Sequence, residues 1–130
     1  MMVYLLDTNI IIDVLNNKRD RYQQLRQLQL RGHLLACCSI NVTEIYAGMR
    51  AREEAHTEEF LRSLEYFSVT FLVARLAGLL KRDYSRKGKT LTFTDATIAA
   101  VAIHHEIPLI TDNVKDFPMK EVELHSMQSF

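Results

Sequence analysis

The sequence predicts an α/β fold of three layers, α/β/α, with a central parallel sheet of four to five strands. Three observations carry this expectation. Short, continuous apolar runs alternate with longer helical patterns along the chain, as expected of strands buried on both faces by helices. The 130 residues are 48% hydrophobic, enough for one core and too few to supply two. No internal repeat, low-complexity tract or linker breaks the pattern, so a single domain over residues 1–130 is expected.

The elements follow in order. Val3 to Leu6 is a short apolar run ended by Asp7, which predicts a first strand at 3–6 and a helix at 8–15. A helical pattern at 22–31 leads to a second apolar run at 34–38, bounded by Gly32 and Ser39. Helices are expected at 40–51 and 53–64, then a third strand at 68–72. The helix expected at 73–87 stops at Gly88, inside a polar run from Ser85 to Lys89. A last helix at 95–106 precedes a fourth strand at 108–111, and 122–125 supplies an edge strand.

Charged residues make up 25% of the chain and the formal net charge is zero. This balance excludes a broadly basic protein that coats nucleic acid, and it leaves room for a local basic rim around a cleft. The longest apolar runs are too short or too charged to span a bilayer. No basic region precedes the N-terminal apolar run, which Asp7 interrupts early, so neither membrane insertion nor a secretory leader is expected. Cys37 and Cys38 are neighbours. A strand points them to opposite faces and a disulfide between them is strained, so they read as small buried hydrophobes in a reducing cytoplasm.

Open parallel sheets bind ligands beyond the carboxyl ends of their strands. Asp7 ends the first strand, and Asp112, Asn113 and Asp116 follow the fourth. If those strands are neighbours, their acidic groups rise from one edge. Two more carboxylates lie on helices. Positions three, four and seven after Asp95 are Ile98, Ala99 and Ala102, which places Asp95 on a buried stripe. Glu44 shares a face with Ile40, Ala47 and Gly48, a small apolar stripe expected to pack closely on the sheet. Inward carboxylates are costly without partners, and no matching set of inward Lys or Arg is evident. A hard divalent cation such as Mg²⁺ or Mn²⁺ resolves this, since it takes oxygen ligands and suits phosphodiester hydrolysis.

Each carboxylate alone also has a plainer reading. Asp95 at a helix start is favourable with the helix dipole. Glu44 can be a partly exposed helix residue, and Asp7 can cap the helix after it. Their coincidence around one sheet edge is what favours a shared site.

Four runs together resemble the PIN-domain family, and within it the VapC toxins of toxin–antitoxin pairs. They are Leu5-Leu6-Asp7-Thr8-Asn9, Asn41-Val42-Thr43-Glu44-Ile45 with Gly48 beyond, Thr94-Asp95-Ala96-Thr97-Ile98-Ala99-Ala100, and Ile110-Thr111-Asp112-Asn113 leading to Asp116-Phe117. Their order and spacing match over essentially the whole chain. The resemblance implies that Asp7, Glu44 and Asp95 are the core acidic residues and Asp116 the fourth. It also implies supporting roles for Asn113 and for the hydroxyl of Thr8. Asp112 falls where relatives more often carry a neutral or basic residue, and extra ligand, hydrogen-bond acceptor and bystander all stay open for it. The function implied by the resemblance is a Mg²⁺- or Mn²⁺-dependent endoribonuclease that arrests translation by cutting tRNA or ribosomal RNA. A homodimer and a cognate antitoxin are further implications. In this scheme a cation held by Asp7, Asp95 and Asp116 activates a water for attack on the phosphodiester, while Glu44 orients that water or binds a second ion.

Lys81, Arg82, Arg86, Lys87 and Lys89 cluster just before the turn into the Asp95 helix. They are candidates to hold RNA phosphates, and equally a solvated helix end. Lys18, Arg19 and Arg21, with Arg50 and Arg52, are further rim candidates. His104 and His105 lie at the far end of the Asp95 helix, over about ten ångströms away at roughly 1.5 Å per residue, and are expected to be structural. Asp13 is expected to be a surface charge. Tyr22, Leu25 and Leu28 with Ile11 and Leu15 can line a groove for an antitoxin helix or a dimer contact, or simply pack the core. The alternative function is a non-catalytic or DNA-directed PIN-like module that works with an antitoxin partner.

Overall fold

The computed structural model describes every residue of the chain except Ser129. The elements run β1 (Val3–Leu6), α1 (Thr8–Leu15), α2 (Arg21–Leu30), β2 (Leu34–Cys38), α3 (Ser39–Gly48), α4 (Glu54–Arg62), β3 (Glu65–Phe67), α5 (Phe71–Arg86), α6 (Phe93–His105), β4 (Leu109–Ile110) and β5 (Leu124–His125). All five strands form one sheet in the order β3-β2-β1-β4-β5, and every pairing is parallel. The chain winds outward from β1 to β3, then returns to lay β4 on the other side of β1. The strand order therefore reverses between β1 and β4, and a crevice opens beyond their carboxyl ends.

Strand alternation sorts the core into two layers. Leu5, Ala36, Cys38 and Leu109 face α5 and α6, where Val73, Ala77, Ile98, Ala99 and Ala102 complete the packing. Tyr4, Leu6, Leu35, Cys37 and Ile110 face the opposite side, against Ile10, Ile11, Leu25, Leu28, Ile45 and Leu61 of α1 to α4. The two cysteines thus lie on opposite faces, as their adjacency requires. Both are free and buried, and burial pushes each thiol up to about 11. They stay protonated and behave as small hydrophobes.

Several expectations change. The third strand is Glu65–Phe67, not 68–72. Thr70 caps α5 through a 3.3 Å bond from the Val73 N–H, so Phe71 and Leu72 open a helix and stay exposed. Their apolar character imitates a strand, while the true edge strand carries exposed Glu65 and Tyr66. On α3 the expected close-packing stripe is absent: Ala47 and Gly48 are exposed, and a Cβ at Gly48 meets nothing within 4 Å. Asn41 and Ile45 are the buried residues of that helix. Tyr22 is exposed, whereas Ile11, Leu25 and Leu28 are buried in the core with Leu15 packed against them.

Candidate active site

Asp7 lies where β1 gives way to α1. Its backbone N–H makes a 2.9 Å bond to the Ile110 carbonyl, so its position is set by the pairing of β1 with β4. The side chain accepts from the Thr8 N–H at 2.8 Å through Oδ1, as a cap would, and from the Thr111 hydroxyl at 2.7 Å through Oδ2. It is only 5% exposed. Burial raises its pKa, the bonds from Thr111 and Thr8 lower it, and the nearby charges of Glu44 and Asp116 raise it again. The plain capping role and a place in an acidic centre coexist in one side chain.

Glu44 enters from α3 and is held by a directed chain of hydrogen bonds. Asn41 Oδ1 accepts from the Cys38 N–H at 2.8 Å, which leaves Asn41 Nδ2 as the donor to Thr8 Oγ1 at 2.9 Å. The Thr8 hydroxyl must then donate onward, and it does so to Glu44 Oε1 at 2.6 Å. Asn41 is fully buried and Thr8 nearly so. Thr8 thus touches Asp7 with its N–H and Glu44 with its hydroxyl.

Asp95 occupies the first turn of α6, where Thr92 caps the helix by accepting from the Asp95 N–H at 3.0 Å. Its carboxyl is half-buried, and burial raises its pKa first. The hydrogen bond with Thr92 lowers it, and Asp116, Asp7 and Glu44 raise it. Asp116 ends a short 3-10 turn, Val114–Asp116, and its backbone N–H bonds the Asn113 carbonyl at 2.9 Å.

These four carboxylates line one cleft of about 380 Å³ together with Thr8 and Asn113. No Lys, Arg or His among the described residues lines it. As positioned, no group of three His, Cys, Asp or Glu side chains among the described residues converges into a ready-made metal cage. Glu44 and Asp7 are instead held by Thr8 and Thr111.

Asp112 is turned elsewhere. It does not line the cleft; its carboxylate meets the guanidinium of Arg21, with Arg19 at 3.6 Å. Asp13 is no lone surface charge either, since it takes the other side of Arg21 at 3.4 Å. Arg21 is therefore a buried partner of two carboxylates and no rim residue. None of Arg82, Arg86, Lys87 and Lys89 lines the cleft. Arg82 pairs with Asp83 at 3.0 Å, and Lys87 lies 4.8 Å over the Tyr84 ring. Lys81 donates to the Leu91 carbonyl and covers the Phe93 ring. His105 packs on Phe67 with ring centres 4.4 Å apart, away from the cleft. The sequence brings Asn41 and Thr111 into the quoted runs without giving either a role, and it offers Arg21 only as a rim candidate. Only Asn41 carried a local signal, as a polar residue three places into a helix that follows a strand.

An acidic cleft at the reversal point of a parallel sheet, in an α/β/α fold, defines a class, and comparison names it. The PIN-domain model matches residues 4–121, and the chain belongs to the PIN-domain family. Within it, the chain is similar to ribonuclease VapC19 of Mycobacterium tuberculosis, 34% identical over 115 residues that cover 88% of this chain and 92% of that one. Ribonuclease VapC2 of Rickettsia felis is 28% identical over 121 residues, covering 89% and 90%. The solved structure of VapBC2 from Rickettsia felis, bound to a DNA fragment from its promoter, matches with a TM-score of 0.84 at 26% identity, over 96% of this chain and 98% of that one. No helix among the described residues is long and apolar enough to cross a membrane.

Proposed function

We propose that this chain is a divalent-cation-dependent endoribonuclease, the toxin of a toxin–antitoxin pair, acting as one nuclease domain in the cytoplasm. The observation that carries this reading is the shared cleft of Asp7, Glu44, Asp95 and Asp116 without a basic partner. Burial and mutual repulsion raise the pKa of Asp7 and Asp95, which is the state of a site that gains from a positive charge. The donor set is all oxygen, so it fits Mg²⁺ or Mn²⁺ rather than a metal that prefers sulfur or imidazole. Asp7, Asp95 and Asp116 would hold the ion, with Glu44 beside them. A bound cation supplies positive charge that polarises a phosphate and favours ionisation of a nearby water.

The chain's own groups do the positioning. Thr111 and the Thr8 N–H fix both oxygens of Asp7. The Thr8 hydroxyl holds one oxygen of Glu44 and leaves the other free to orient a water. Asn113, at the mouth of the same cleft, can donate to a phosphate oxygen. Arg82, Arg86, Lys87 and Lys89 at the end of α5 are proposed to meet the RNA backbone further out, in a homodimer. The substrate class, tRNA or ribosomal RNA, follows the family resemblance.

An antitoxin is the proposed protein partner. A groove of about 390 Å³ shares Ile12 and Glu44 with the acidic cleft and is lined by Leu15, Ile45, Lys18 and Arg50 among others, a mixed surface suited to an amphipathic segment. The VapBC2 complex on promoter DNA favours a second activity, in which the toxin serves a DNA-bound complex with its antitoxin without cutting.

Incubation of the purified protein with total RNA, in Mg²⁺ or Mn²⁺ and in EDTA, tests the main reading. Cleavage that needs the cation and disappears in Asp95→Asn is expected. Intact RNA in every condition, or an undiminished rate in the variant, rejects it.

A further inference from the structure

Arg21 is the first residue of α2, yet only 7% of it is exposed. An arginine goes into such a place only with its donors engaged. Its Nε reaches Asp13 Oδ2 of α1 at 3.4 Å, and its Nη2 meets Asp112 Oδ2, just past β4. One planar fork therefore spans two carboxylates on two different elements, a geometry that a lysine cannot reproduce. Arg19 adds a second, exposed cation 3.6 Å from Asp112 and 4.0 Å from Asp13.

The connection that delivers Arg21 is strained. Asn17, Arg19 and Asp20 all have φ between 54° and 56°, a left-handed conformation uncommon outside glycine. Such residues persist where their surroundings over-determine them. Here the Lys18 N–H bonds the Asp13 carbonyl at 2.8 Å and the Arg21 N–H bonds the Lys18 carbonyl at 3.1 Å, so the strained turn is folded back onto the residue that Arg21 grips.

At the other end of the ion pair lies the segment that carries Asn113 and Asp116. Its start is tied to the cleft by Thr111, whose oxygen donates to Asp7 and accepts from the Asn113 N–H at 2.9 Å. The next residue, Asp112, is tied to Arg21. Asp116 itself forms no ion pair among the described residues and depends on the segment's backbone for its place.

We propose that Arg21 is a positioning residue: through Asp112 it clamps the 111–117 segment onto the α1–α2 connection and so holds Asp116 and Asn113 at the cleft. Its effect on cleavage rests on the proposed nuclease activity; the clamp itself does not. The test is hydrogen–deuterium exchange on the full chain for Arg21→Met, for the milder Asp112→Asn and for the double variant. RNA cleavage is measured alongside. Amides of residues 113–117 are expected to exchange roughly tenfold faster in each single variant, with the strands unchanged. The double variant is expected to be no worse than either single, as for two members of one network. The rate kcat is expected to fall by more than KM rises, because Arg21 touches no substrate itself and acts only through the placing of Asp116 and Asn113. If exchange at 113–117 stays at the wild-type rate in Asp112→Asn, or if the two single effects simply add, the clamp is overturned. A wild-type protein that cuts no RNA overturns the nuclease reading, and the exchange data still decide the clamp.

Discussion

The hydroxyl of Thr111 donates a 2.7 Å hydrogen bond to Asp7 Oδ2, joining residues 104 positions apart. Thr111 is fully buried and Asp7 is 5% exposed, so water cannot readily replace the bond. A hydrogen bond to a charged group contributes about 1.5–3 kcal/mol. Thr111→Val is expected to lower the free energy of unfolding by about that amount, read as a lower urea midpoint at constant slope, and Thr111→Ser to restore most of it. An unchanged midpoint in the valine variant counts against the role given to this bond.

Asp7 and Asp95 both have pKa values raised above the ordinary 3.8. Between that value and the raised one, the folded state binds more protons than the unfolded state, so stability falls as pH rises through the window. Above it the penalty is complete. Without a cation, Asp95→Asn is therefore expected to melt higher than the parent protein near neutral pH, with the gap closing as pH drops towards about 4. Thermal melts in EDTA across this range check the sign. A variant that melts lower at neutral pH shows that the helix dipole, and not burial, dominates at Asp95.

Cation binding at the proposed site is expected to reverse that penalty. Mn²⁺ at roughly 100 times its dissociation constant is expected to stabilise the protein by about 2.7 kcal/mol. The shift disappears in EDTA and in Asp95→Asn. An equal shift in the wild type and the variant places the ion elsewhere.

Thr8 sits between Asn41 and Glu44 in a chain whose direction is set by the Cys38 N–H. Thr8→Val keeps the shape and removes the link, leaving Asn41 Nδ2 buried without a partner. The expected loss is roughly 1–3 kcal/mol of stability, accompanied by a fall in RNA cleavage. Thr8→Ser keeps the hydroxyl and is expected to keep both properties. Parallel denaturation and cleavage assays on the two variants separate the hydrogen bond from packing.

His104 and His105 lie at the end of α6 opposite Asp95. Burial and the neighbouring His104 lower the pKa of His105, which is consistent with its packing on Phe67. Removing a general acid or base costs roughly 10²–10⁴-fold in rate. Replacing both histidines with alanine is expected to leave the cleavage rate and its pH profile close to wild type, and a loss of that size assigns them a part in the reaction.

Pattern is sufficient wherever a local period carries the information. The runs at 3–6 and 34–38 are β1 and β2 with the same bounds, because each is apolar throughout and ends at a polar residue. Asp7 can be placed at a strand end for the same reason, and Asp95 in the first turn of a helix with an apolar stripe behind it. Pattern fails at the third strand. Edge strands with one exposed face have little periodic signal, and Thr70 hides a helix start in front of two exposed apolar residues.

Partnership between distant side chains is out of reach of any period. That β1 and β4 are neighbours can only be assumed from the chain's alternation, and the sheet order makes it a fact. Asp112 and Asp116 are four residues apart and chemically equivalent in the sequence. The turn after β4 sends one to Arg21 and the other to the cleft. Glu44 is expected on a close-packed stripe and is held instead by a hydroxyl supplied from α1. The physical reason is common to all three cases. Hydrophobic burial is non-directional and is written in residue types, whereas a hydrogen bond or ion pair needs two groups within about 3 Å, and that distance exists only once the sheet has brought remote segments together.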